Sequence, residues 1–283
     1  MISELLEIER WNKLSIAEKK SIAKKIINKL PTGFKYGGIQ RFELAGITHT
    51  IAYYYWKSIN FSLIPGKIVV LGYNPNKKYD FTNDQLADWA KTANEYDLPP
   101  IIDFLREISS PFRKKKISPF LIETESKVLG LTLLKGGGNK VENVTYSQVK
   151  ENMEDGFRFL TSDEWEYACS GGANTLFRWG DNCPIDQLPI LYDMFEDRDI
   201  IPFTLHKKLN SFGLKIAFDP YIKEFTEEKE ILRGGDGGIT ICGGMGAFIA
   251  WIPLASAYIN KIKPSTEGII EPYLRRAVSI FDI

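Results

Sequence analysis

A chain of 283 residues that is 44% hydrophobic and 13% aromatic can bury a sizeable core, which excludes disorder as its default state. Its 36 basic and 36 acidic residues cancel to a formal net charge of zero, so neither nucleic acid nor an anionic membrane is an expected partner. Three cysteines, Cys169, Cys183 and Cys242, are too few and too scattered for a disulfide framework, and the opening residues lack the basic-then-apolar order of a secretory signal; both point to the cytoplasm.

In chain order, Ser15-Ile-Ala-Glu18 is a capping box that opens a helix carrying Ile16, Ile22, Ala23, Ile26, Ile27 and Leu30, stopped by Pro31 and Gly33. Arg41 to Tyr55 alternates around Gly46 and predicts a strand pair with a turn or bulge. Phe61 to Gly66 and Lys67 to Gly72 read as two short strands separated by a Pro-Gly turn. Helices follow around Gln85 to Asn94 and Ile101 to Ile108, and the basic run Arg113-Lys-Lys-Lys116 reads as a solvated loop or strand edge. Lys116 to Glu123 is a further strand, Leu134 to Asn139 a flexible Gly-rich loop, and Tyr146 to Met153 a short helix.

Thr161 and Glu164 form a second capping box. The helix it opens places Trp165, Ala168 and Cys169 on one face and stops at Gly171-Gly172. An aromatic Phe177-Arg-Trp-Gly-Asp181 and a loop-rich region precede Arg233-Gly-Gly-Asp-Gly-Gly238 and Ile241-Cys-Gly-Gly244. Ile239 to Asn260 carries no charge and is long enough to cross a bilayer, yet its glycines and Pro253 favour a buried Gly-rich strand and turn, so no membrane is expected. Tyr273 to Ile280 closes the chain as a terminal strand.

These motifs, in this order, resemble the formylglycine-generating-enzyme (sulfatase-modifying-factor) domain family. Phe61 to Gly66 with Leu71-Gly72 is similar to that family's opening, and Pro119-Phe-Leu-Ile-Glu123 to its next strand. The most specific match is Arg158, Thr161, Glu164-Trp-Glu-Tyr-Ala168, Gly171-Gly172 and Trp179-Gly-Asp181, with Leu160 where the family has proline. Asn210, Phe212-Gly-Leu214, Arg233-Gly-Gly235 and Arg275 extend it. The resemblance implies an α+β, C-type-lectin-like fold with twisted antiparallel strands, few helices and long ordered loops over residues 60–283, preceded by an N-terminal extension, helix then strand pair, over residues 1–59. Arg158, Glu164, Trp165, Trp179, Arg233 and Arg275 are expected to be structural, with Arg158 pairing Glu164 or Glu166.

The family's chemistry is not carried over so readily. Its copper(I) pair is spaced Cys-x4-Cys after the Arg-Gly-Gly motif; here only Cys242 lies there and Ala247 occupies the partner position, so copper and sulfatase activation are not expected. His49 and His206 are too few and too far apart for the related three-histidine iron site. Where the family holds calcium, Asp219 and Glu224 can still offer oxygens, opposed by Lys223, which leaves calcium as the one weak metal expectation and any other cofactor unknown.

In place of the copper motif stand Gly234-Gly-Asp-Gly-Gly238 and Cys242-Gly-Gly-Met-Gly246. They read either as a tight turn with a buried cysteine or as a specialised pocket with Gly235, Asp236, Gly237, Cys242, Gly243 and Trp251 around it. Asp236 and Cys242 are the catalytic candidates in the second case, and Trp251 with Tyr258 is otherwise core. The function expected is a non-catalytic module recognising a protein or small-molecule ligand, a pseudoenzyme on this scaffold. The alternatives are a divergent metal-dependent oxidase or peptide-modifying enzyme using Asp236 and Cys242, and a regulatory subunit of a bacterial multi-gene system.

Overall fold

A computed structural model of the chain describes residues 2–128, 145–190, 201–261 and 273–280. The expected loop at Leu134 to Asn139 lies outside them. The N-terminal part is α1 (Ile2–Leu5), α2 (Ile8–Lys13), α3 (Ile16–Ile26), β1 (Phe34–Leu44) and β2 (Ile47–Trp56). Both halves of the Ser15–Glu18 capping box form at the start of α3. Ala45 and Gly46 both take positive φ, 51° and 79°, which is what a tight two-residue connection between twisted antiparallel strands requires.

Next come β3 (Ile59–Ile64), β4 (Lys67–Leu71), α4 (Asn83–Tyr96), α5 (Ile101–Ile108), β5 (Arg113–Ile117), β6 (Phe120–Glu123), β7 (Lys127–Val128) and α6 (Tyr146–Glu151). One sequence expectation here needs correcting. Lys116 to Glu123 is not one strand: Pro119 has no N–H to give a ladder, and the chain breaks there into β5 and β6, which belong to different sheets. The Pro65-Gly66 step does separate two strands, but β3 and β4 do not pair with each other; the step moves the chain from one sheet to the next.

The remainder is β8 (Arg158–Phe159), α7 (Ser162–Ser170), β9 (Glu224–Phe225), β10 (Ile231–Arg233), α8 (Ile239–Cys242), α9 (Ala247–Trp251), β11 (Asn260–Lys261), β12 (Tyr273–Leu274) and β13 (Arg276–Ser279). The Thr161–Glu164 box starts α7, and Gly171 ends it in the left-handed conformation at φ 60°. The uncharged stretch is neither a strand nor a membrane span. It forms α8, α9 and a 3-10 turn over Ile252–Leu254, with Gly238 and Gly246 at φ 81° and 92° where each helix begins. Among the described residues no helix is long and apolar enough to cross a membrane.

The architecture is α+β. A six-stranded antiparallel sheet runs β1-β2-β3-β6-β13-β8, a five-stranded sheet runs β11-β10-β9-β12-β7 with one parallel pair, and β4 and β5 form a two-stranded ribbon. The first sheet unites the N-terminal strands with the last, so residues 34–56 share a sheet and a core with β6 and β13. That core packs α2, α3 and α7 through Trp11, Ile26, Tyr54, Phe61, Phe120, Trp165 and Tyr167. A second core gathers Trp89, Leu105, Phe177, Trp179, Phe248, Trp251 and Leu254. Fully buried aromatics of this size are each worth roughly 3 kcal/mol or more of apolar transfer, enough to hold loops that have no ladder of their own.

Candidate functional site

The Gly-rich segment leaves β10 at Arg233, whose guanidinium is completely buried. It donates to Glu166 at 3.0 Å, to the Ser162 hydroxyl at 2.9 Å and to the Tyr258 carbonyl at 2.9 Å, which fixes where the glycines start. Gly235 then passes so close to the neighbouring backbone that a Cβ would lie 2.3 Å from the Pro220 carbonyl oxygen and 2.4 Å from that of Ile222. No side chain fits there. The Pro220 carbonyl accepts the N–H groups of Asp236, Gly237 and Gly238 at 3.0, 3.0 and 3.3 Å.

Asp236 is 3% exposed and points inward rather than at a ligand. Its Oδ1 accepts from Gly238 N and Ile239 N at 2.7 and 3.1 Å, and Oδ2 accepts from Thr240 N at 2.9 Å. Gly238 N shares the Pro220 carbonyl as well, but the Ile239 and Thr240 N–H groups are otherwise unpaired donors of the first turn of α8, so the carboxylate acts as a cap. From the other side α4 supports the segment: Asp88 Oδ2 accepts from Phe248 N at 2.8 Å, and Gly246 lies against Thr92.

What this frame presents outward is apolar. The Tyr221 ring lies across Gly238, its hydroxyl is 3.4 Å from Cys242 Sγ, and the residue is 44% exposed. Ile239 is 65% exposed, and Cys242 is exposed rather than the buried thiol of the tight-turn reading. Contact with the Cys242 thiol, with some help from burial, holds the Tyr221 hydroxyl above its usual range, so it stays protonated. Gly237 and Gly243 lie on the same segment, the first beside the Lys223 ammonium and the second closing α8. Trp251 stands apart: it is fully buried in the second core, with its indole N–H donated to the Gln187 carbonyl at 2.9 Å, so it is no pocket wall.

The scaffold residues form two buried ion-pair centres and one partly exposed pair. Arg158 grips Glu164 with both guanidinium nitrogens at 2.7 and 2.8 Å. Arg275 and Glu224, both completely buried, pair through two hydrogen bonds of 3.0 Å; Trp165 Nε1 adds a third donor to Glu224 at 2.9 Å, while Arg275 also binds the carbonyls of Glu123 and Lys215. Glu166 collects Arg233, Arg113, the Ser110 hydroxyl and the Gly72 N–H. Trp179 stacks on Phe177 with the rings 2° from parallel.

This arrangement does not fit the metals of the resembled family. Both oxygens of Glu224 are held by Arg275 and Trp165, and Asp219 Oδ1 accepts from Tyr221 N at 2.9 Å with burial raising its pKa, so Glu224 is not available to calcium and Asp219 alone is too few oxygens for it. For copper(I), Cys169 is buried beside Ser256 and Cys183 beside Gln85, and burial pushes both thiols up, Cys169 to about 11. Neither is a ready thiolate to join Cys242. Among the described residues no group of three or more His, Cys, Asp or Glu side chains converges on one point.

Several residues escape sequence reasoning. Arg178 is 1% exposed and meets carbonyls alone, those of Ile216, Leu205 and His206, with burial pulling its pKa down to about 10. His206 is buried among Trp179, Phe203 and Trp251, and neither ring nitrogen is hydrogen-bonded among the described residues. Tyr221 and Ile239 carried no motif; Ile239 follows Gly238 directly, but Tyr221 lies 13 residues before the first glycine of the segment and nothing local marked it. Compared with known proteins, the chain matches no family model, and no curated protein matches it.

Proposed function

We propose that this protein is a non-catalytic recognition module on a formylglycine-generating-enzyme-like, C-type-lectin-like scaffold, and that its Gly-rich segment displays Tyr221, Ile239 and Cys242 to a protein partner. The observation that carries this reading is the direction of the polar groups. Asp236, the acid candidate in the segment, has its carboxylate satisfied by three backbone N–H groups, while the side chains left facing outward are apolar or weakly polar. Exposed aromatic and aliphatic anchors on a backbone that needs no reordering suit protein recognition, because little conformational entropy is lost on docking. The motif resemblance supports the scaffold: its Arg158–Glu164 pair and the buried Arg233 and Arg275 hold loops in place and leave the rim free to vary.

The test compares the wild-type protein with an Ile239→Glu variant in affinity co-purification, together with metal analysis of both. A stoichiometric polypeptide retained by the wild type and lost by the variant, at unchanged thermal stability, supports the reading. A stoichiometric redox metal that disappears on Cys242→Ala would overturn it in favour of a divergent oxidase.

A further inference from the structure

A second surface, sharing no residue with the first, lies on the β4–β5 ribbon. Among the described residues β4 pairs only with β5, so each strand has an edge without a neighbour. The two edges are built differently. β5 is Arg113-Lys-Lys-Lys-Ile117, and a row of lysines on an edge discourages pairing. β4 is Lys67-Ile-Val-Val-Leu71, a β-branched strand whose Ile68 and Val70 are 59% and 54% exposed.

Beside β4 runs a groove of about 310 Å³, lined by every residue of that strand and by none of β5. It is also lined by the stretch 172–176 after α7 and by Glu166 and Ser170 of that helix. That volume is at the lower end of ligand-sized clefts and suits an extended chain better than a bulky ligand.

Charge narrows the choice of occupant. Lys115 and Arg113 pair with Asp163, but Lys67, Lys114 and Lys116 have no carboxylate partner among the described residues. Lys116 lies opposite Ile68 and Lys114 opposite Val70, so the exposed face alternates aliphatic and cationic groups across the ribbon. A strand added to β4 would lie roughly 10 Å from β5, just beyond the Debye length of about 8 Å at physiological salt, a gap that the reach of a lysine side chain shortens to within it.

We propose that the free edge of β4 takes up an extended acidic segment of a partner protein as a third strand. Main-chain hydrogen bonds to β4 supply the affinity. Alternate carboxylates facing Lys114 and Lys116 set register and preference, with the intervening residues resting in the groove.

The probe is a fluorescein-labelled peptide of alternating Glu and Val, seven residues long, titrated with the full chain and read by anisotropy. Saturable binding that weakens with salt is expected, falling about tenfold or more for a Lys114→Glu/Lys116→Glu variant whose melting temperature is unchanged. Two further peptides carry N-methyl groups on alternate residues, one set for each edge of the added strand. Only the set facing β4 should lose binding. Absence of saturation up to about 1 mM, or equal binding of both methylated peptides and of a Lys-Val analogue, overturns the proposal. Neither result bears on Tyr221 and Ile239, and failure of the Ile239→Glu test leaves the ribbon untouched.

Discussion

Two regions of the molecule both turn their charged groups inward but differ in what they leave at the surface. Around Glu224 and Arg275 a carboxylate and a guanidinium lie wholly inside, surrounded by Trp165 and backbone carbonyls. Around Tyr221 and Ile239, apolar groups face out and the carboxylate of Asp236 is turned in to hold the backbone. The polar chemistry is therefore architectural in both places, and what remains for recognition is shape and apolar contact.

The strongest test of that contrast is Glu224→Ala. It leaves Arg275 buried without its partner, and a loss of about 3–5 kcal/mol in urea denaturation is expected, or failure to fold. A change below about 1 kcal/mol would show that Arg275 reaches water and that the pair is peripheral.

Acid sharpens the comparison next. Burial, with help from the Lys207 and Arg178 charges, pushes the His206 imidazole down to about 3, and burial lowers His49 as well. Both are held neutral in the folded chain and take up protons on unfolding, so stability is fully present above about pH 6.5 and declines as pH falls towards the folded value. His206 alone would give a slope of up to about 1.4 kcal/mol per pH unit, and His206→Phe should flatten the profile of urea midpoints against pH between about 6 and 4. An unchanged slope would place the acid sensitivity elsewhere.

Asp236→Ala comes third. The Ile239 and Thr240 N–H groups lose their acceptor while Gly238 keeps the Pro220 carbonyl, and about 2 kcal/mol should be lost, with the proposed binding surface disordered as a consequence. If stability holds while binding alone is lost, Asp236 touches the partner and the inward reading fails. Smallest in stability is Ile239→Glu, within about 0.5 kcal/mol of wild type in the same denaturation, although it places a charge in the middle of the proposed contact.

How much was legible in advance follows from sequence distance. Ser15–Glu18 and Thr161–Glu164 were readable because a capping box is closed within four residues, and Arg158 reaches Glu164 from only six residues away. Glu224 with Arg275 and Glu166 with Arg113 are 51 and 53 residues apart, and no local pattern announces such pairs. Ile239 to Asn260 misled for a different reason. Ala247–Trp251 is buried on nearly every side, so neither a two-residue nor a 3.6-residue period survives to separate strand from helix. The Gly-rich segment is visible in the sequence from its glycines, but which of its side chains face outward depends on the Pro220 carbonyl, which no residue type signals.

The position of β13 has a consequence in time. It sits between β6 and β8 in the large sheet, and Arg275 beside it donates to the Glu123 carbonyl across 152 residues. During synthesis the ribosome therefore delivers β6 and β8 with facing edges open long before the strand that joins them emerges. Until then the nascent chain carries two unpaired templates, and its folding is of the slow, high-contact-order kind in which chaperones hold a chain before it closes.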